Sequence, residues 1–182
     1  MADRDLLPGE YALLGLLRIR PMHGYEMART FEGEGLGEVC PVEQSLLYSY
    51  LRNLEGRGLI GWKEQRVGKR PPRKQFSLSK SGTKKVKEWL TAPVPKLRQV
   101  RYEFLVKLYV LHELDRDAER ELVRAQVAVC DEYLRDVAAR LGRAEENFER
   151  LIASSKLSAA QGTANWLRLY LDELEDDGAG DA

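Results

Sequence analysis

One stretch constrains this chain more than any other: a helix that runs into a basic hairpin, from Gln44 to Lys87. Leu47, Leu51 and Leu54 recur at helical spacing over about Glu43 to Glu55, and Gly56 and Gly58 break the exit. Two short extended runs follow, Leu59 to Arg66 and Arg73 to Leu78, joined by a turn that reads GKRPPRK. Arg57 to Lys87 holds 11 Lys or Arg and 1 acid, Glu64, a net charge of 11 − 1 = +10. A reading helix followed by a basic hairpin is the outline of a winged helix that grips a nucleic-acid backbone. Pro71 and Pro72 withdraw two backbone donors, so the turn is expected to be open and exposed.

The rest of the first half supplies the frame. Leu6 to Ile19 reads as a helix, with Pro8 in its first turn and Pro21 beyond its end. Gly24 to Phe31 reads as a second, short helix. The loop after it, GEGLGEVCP, has three glycines in five residues and reads as a hinge. Ser79 or Ser81 can cap a further helix that runs through Trp89 and Leu90. Pro93-Val94-Pro95 marks the expected boundary between residues 1–92 and 93–182.

The chain is neutral overall, yet its halves differ. Residues 1–92 carry 16 basic and 11 acidic side chains, net +5; residues 93–182 carry 13 and 18, net −5. That asymmetry suits a binding half and a half with another task. Two cysteines are too few for a disulfide framework, no signal peptide is evident, and no apolar run reaches the ~18 residues of a membrane span. A cytoplasmic protein is expected.

The second half reads as helix throughout. Val100 to Leu114 is densely apolar, and Asp115 or Asp117 can cap the next helix. In that helix Val123, Val127, Cys130, Leu134, Val137, Leu141, Ala144, Phe148 and Leu151 alternate steps of 4 and 3, a heptad seam. The implied helix spans ~50 Å. Such a seam must be buried. Both a last helix, about Ser158 to Leu174, and a second subunit are expected to cover it, with the dimer contact through Val127, Cys130, Leu134, Val137, Leu141 and Phe148 favoured. A redox role for Cys130 is the weaker alternative to plain core. The acidic tail beyond reads as solvated.

The fold expected is therefore mainly α: an N-terminal winged helix-turn-helix of three helices and a two-stranded wing, then an all-helical dimerisation domain. On the reading helix the solvent face should carry Gln44, Ser45, Ser49 and Arg52, with Tyr48 beside it. Gln suits adenine and Arg suits guanine or phosphate. Lys69, Arg70, Arg73 and Lys74 of the wing can reach phosphates or the minor groove. Trp89, Tyr102, Tyr109, Trp166 and Tyr170 could line a site for a flat hydrophobic effector, although aromatics at helical spacing are more often core. No nucleophile–base pairing or metal-ligand spacing appears, so neither an enzyme nor a cofactor is expected. His23 reads as a structural or capping residue.

Three segments resemble the PadR family of bacterial transcriptional regulators. His23-Gly24-Tyr25-Glu26 is similar to that family's HGYE-type start of a second helix. Leu47-Tyr48, Leu51, Leu54-Glu55 and Gly58-Leu59-Ile60 are similar to its LY-x-x-L-x-x-LE-x-x-GLI pattern. Lys74-Gln75-Phe76-Ser77-Leu78-Ser79 with Gly82 is similar to its wing strand. The chain departs where the family often has Gly-Thr (here Ser45-Leu46), Pro (Ser49), and Tyr and Thr in the wing (Phe76 and Ser79). Glu103 to Leu108, EFLVKL, resembles the entry helix of the family's longer members. The resemblance implies a homodimer and an effector that releases it from DNA; a repressor is expected over an activator because repression needs only occupancy of a promoter. A winged helix that binds protein, or an activator, is the alternative reading.

Overall fold

The computed structural model describes residues 5–33, 35–66 and 72–179. The elements run in order α1 (Pro8–Ile19), β1 (Met22–His23), α2 (Gly24–Glu32), α3 (Leu36–Val39), α4 (Gln44–Gly56), β2 (Ile60–Gln65), β3 (Arg73–Leu78), α5 (Lys80–Thr91), α6 (Leu97–Gln99), a π-turn (Val100–Phe104), α7 (Leu105–Leu114), α8 (Arg116–Arg143) and α9 (Asn147–Ala179). No helix among the described residues is long and apolar enough to cross a membrane. The chain packs as two compact units, residues up to Thr91 with Leu105–Leu114, and Ala92–Phe104 with residues from Asp115 onward.

In the first unit α1 is the hub. Leu13, Leu14, Leu16 and Leu17 are all buried, as a helix that is apolar on every side must be. Helices α4, α5 and α7 and strand β3 pack on it. The partition differs from a single cut at 92/93, because α7 joins the first unit. The sequence explains this: α7 is densely apolar, and Val106, Leu108, Val110 and Leu111 are buried.

The helix–hairpin junction forms as its glycines require. Gly58 sits at φ 67°, a backbone that any Cβ would strain. This turn lets the Leu59 N–H reach the Leu54 carbonyl at 2.9 Å. Strands β2 and β3 pair antiparallel, Ile60 opposite Leu78 through Gln65 opposite Arg73. A third strand, unforeseen in the sequence, is the two-residue β1, which pairs Met22 with Phe76 and His23 with Gln75. Of the two candidate caps of α5, Ser79 is the one used: its Oγ accepts the Gly82 N–H at 3.0 Å and donates to the Gly58 carbonyl at 2.7 Å. The expected hinge also tightens into α3, which buries Leu36; the apolar side chain outweighs the glycines around it.

The second unit is built on an antiparallel hairpin of α8 and α9. Asp115 caps α8 by accepting the Ala118 N–H at 3.0 Å. The unbroken seam to Leu151 is corrected here. Helix α8 ends at Arg143, and α9 begins at Asn147, 11 residues before the expected Ser158. With 28 residues α8 spans ~42 Å. Gly142 weakens its last turn, and Glu146 and Glu149 suit the start of a new helix. Heptad spacing persists through the break because both arms are amphipathic, so periodicity alone hides the turn. Leu122, Val123, Gln126, Cys130 and Val137 of α8 are buried, as are Ala153, Ala160, Ala164, Leu167 and Leu174 of α9. Leu134, Val127 and Leu141 are half-buried, whereas Phe148 is 69% exposed. Cys130 and Val137 are thus covered within the subunit, and Phe148 lies outside the α8 seam.

Candidate nucleic-acid interface

Helix α4 buries Leu47, Leu51 and Leu54 and turns Gln44, Ser45, Ser49 and Arg52 to solvent, the face expected from the apolar period. Tyr48 is 37% exposed. It lies over the first residue of α2, where a Cβ added to Gly24 would come 2.9 Å from its Cε1. Gly24 thereby makes the seat of the Tyr48 ring.

Beside this face lies a cleft of about 740 Å³. Tyr48, Leu51, Arg52 and Glu55 of α4 form one side; His23, Gly24 and Tyr25 form another; Arg73, Lys74 and Phe76 of β3 close it. The structure brings Tyr48, Arg52, Arg73 and Lys74 together around this one cleft. Lys69 and Arg70 lie outside the described residues, as does most of the turn between β2 and β3.

Histidine and aromatics organise the cleft. The His23 backbone N–H donates to Glu26 Oε2 at 2.7 Å, which fastens the start of α2. Its Nδ1 lies 2.9 Å from the Lys74 carbonyl; a carbonyl can only accept, so Nδ1 carries the proton. His23 therefore ties α2 to the wing as well as capping the helix. Burial alone would raise the Glu26 pKa, but the His23 N–H and Arg20, 3.1 Å away, outweigh it and hold that carboxyl below its ordinary value. Tyr25 stacks on His23 with centroids 5.7 Å apart and carries Arg73 5.0 Å above its ring. Lys74 Nζ sits 3.9 Å from the Trp62 ring. Sequence reasoning found the cations and missed Tyr25, Glu55 and Trp62; the HGYE segment was the available signal for the first of these.

The effector candidates divide between the units. Trp89 is buried and stacks on Tyr11 at 4.8 Å, which makes it core. Tyr109 is half-buried, and burial with nearby Glu113 raises its pKa. In the second unit Tyr102 is half-buried, and Trp166 stacks on Tyr170 at 6.3 Å. A second cleft, about 340 Å³, lies at the closed end of the α8–α9 hairpin and is lined by none of the five. Its floor includes Val137, Ile152 and Ala153, and Arg140, Arg143 and Lys156 outnumber Glu149 around it. Burial pushes the Cys130 thiol up, which favours the inert protonated form.

An exposed helix face, a basic two-stranded wing and a cation-lined cleft between them are the parts of a winged helix-turn-helix, with a basic surface suited to nucleic acid. Residues 13–88 match the profile of the PadR-like family of transcriptional regulators, and residues 100–175 match that of the Virulence activator alpha C-terminal region. The chain is thus similar to PadR-like regulators over residues 13–88. It is 29% identical over 147 residues to the negative transcriptional regulator PadR of Bacillus subtilis, covering 81% of this chain and 76% of that one. Similar solved structures include Bacillus subtilis PadR with operator DNA (24% identity, 94% of this chain and 99% of that one, TM-score 0.48). The same protein with p-coumaric acid (24% identity, 93% and 99%, TM-score 0.44) and a PadR-like regulator of Bacillus cereus (21% identity, 96% and 99%, TM-score 0.43) are others.

Proposed function

We propose that this chain is a cytoplasmic, homodimeric repressor that sets the exposed face of α4 into the major groove of promoter DNA. The observation that carries the reading is the convergence of Tyr48, Arg52, Arg73 and Lys74 on one cleft between the reading helix and the wing. Gln44, Ser45, Ser49 and Arg52 select the site, while Arg73, Lys74 and the turn residues Lys69 and Arg70 hold phosphates. Occupancy of a promoter suffices for repression, and the similar Bacillus subtilis regulator is a negative one.

The dimer is supported by a second apolar stripe, on the outer face of α9. Phe148 and Trp166 are 18 residues apart, as are Leu151 and Leu169, and ~3.6 residues per turn makes 18 residues five turns. All four large side chains therefore share one face, opposite the alanines that pack on α8, and all four are exposed. A second subunit would cover them. An aromatic acid is the effector class, since the similar PadR has been crystallised with p-coumaric acid. It would release the protein by preferring the DNA-free state. The cationic cleft at the hairpin end, where Arg140, Arg143 and Lys156 surround Val137 and Ile152, offers such a molecule a carboxylate partner and an apolar floor.

The test is a salt titration of binding to a duplex from the protein's own upstream region, with a scrambled duplex as control. Log affinity should fall linearly with log salt, and Arg73→Ala should lower the slope by ~0.9. Equal affinity for both duplexes would remove sequence-specific regulation. An Arg73→Ala slope equal to wild type would remove the wing contact.

A further inference from the structure

The cations of the cleft are held by rings. Lys74 lies opposite Glu64 in the β2–β3 register, while Trp62 lies opposite Phe76, so the lysine reaches diagonally across the hairpin to the indole, a spacing long side chains span. The indole is fixed in turn: its Nε1–H donates to Glu55 Oε1 at 2.7 Å. Arg73 rests in the same way on Tyr25. A carboxylate partner would hold a cation and also cancel its charge. A ring holds it through the quadrupole and leaves the charge intact. That difference matters for binding a polyanion, because a cation already neutralised gains little from a phosphate and displaces no counterion of its own.

From this geometry we infer that Trp62 is a positioning residue for DNA binding: locked by Glu55, it holds the Lys74 ammonium at the cleft with its full charge available to a backbone phosphate. The inference rests on the DNA reading of the cleft. It also gives Glu55 a role consistent with its place there, since its Oε1 is taken up by the indole donor. Trp62 is 38% exposed, so its ring is accessible to the ammonium without being part of the core.

A double-mutant cycle in the full-length protein, read by anisotropy on the upstream duplex, tests this. Lys74→Ala should weaken binding and lower the salt slope by ~0.9. Trp62→Leu keeps apolar cover on the strand and removes the π face; it should weaken binding about twofold to fivefold with the slope unchanged. Trp62→Phe keeps a π face but loses the Nε1–H donor to Glu55, so its affinity should fall between those of wild type and Trp62→Leu. In the Lys74→Ala background Trp62→Leu should have no further effect. Additive losses, or a Trp62→Phe protein as weak as Trp62→Leu, would overturn the positioning role while leaving the DNA reading intact. A Lys74→Ala protein with unchanged affinity and slope would instead overturn the wing's part in that reading, and the inference with it.

Discussion

At the scale of single residues, the contact between Gly24 and Tyr48 is the sharpest constraint on the reading face. The tyrosine ring occupies the space where a Cβ at residue 24 would stand. Gly24 opens α2 with no positive φ, so alanine is compatible with its backbone and the ring must give way. Gly24→Ala should therefore leave thermal stability nearly unchanged and weaken operator binding several-fold, because it displaces the Tyr48 hydroxyl, a group able to donate to a backbone phosphate. A binding curve that overlays wild type would mean that Tyr48 does not touch DNA. The apolar period made the α4 face legible in the sequence, because burial of Leu47, Leu51 and Leu54 fixes which side Gln44, Ser45, Ser49 and Arg52 occupy. The partners of the wing cations were illegible. Trp62, Tyr25 and His23 meet Lys74 and Arg73 only once β1 and β2 both pair with β3, and no local pattern announces a two-residue strand.

Among the elements, the α8–α9 hairpin departs furthest from expectation, and its ties show what holds it. Arg116 pairs with Asp177 at 3.1 Å, Arg124 with Glu175 at 2.6 Å, and Arg168 with Asp131. Most of these groups are exposed and contribute little each. The buried tie is different. Glu119 is fully buried; it accepts from Arg116 at 2.7 Å and from the Tyr170 hydroxyl at 2.6 Å. Burial, then the bond and charge of Glu119, raise the Tyr170 pKa from 10.0 to about 12. The folded state thus holds this proton more tightly than the unfolded chain does. The associated stability is complete below pH 10 and is lost as pH rises through about 12. Tyr170→Phe should cost about 1–2 kcal/mol at pH 8, and urea midpoints should show the gap to wild type closing between those two pH values. A gap that persists at the alkaline end would assign the loss to packing. None of this was readable from the heptad, which reports which residues are apolar and is blind to a short turn after Gly142.

For the whole molecule, the question is which surface joins two subunits. The seam first expected to do so is spent in part inside the subunit, where Cys130 and Val137 are buried against α9. What remains open is the far side of α9, with Phe148, Leu151, Trp166 and Leu169 exposed. A pseudo-palindromic operator presents half-sites ~34 Å apart, so two reading helices must be held at that spacing by a firm interface. Leu151→Lys puts a charge near the N-terminal end of the outer stripe without touching the alanine seam. It should yield a monomer by analytical ultracentrifugation, with helix content retained by circular dichroism and operator affinity reduced by at least tenfold. Leu134→Lys, on the half-buried side of α8, separates the alternatives. If Leu134→Lys dissociates the protein and Leu151→Lys does not, the interface lies on α8; if both variants remain dimeric, neither stripe is the interface and the half-site spacing is set elsewhere.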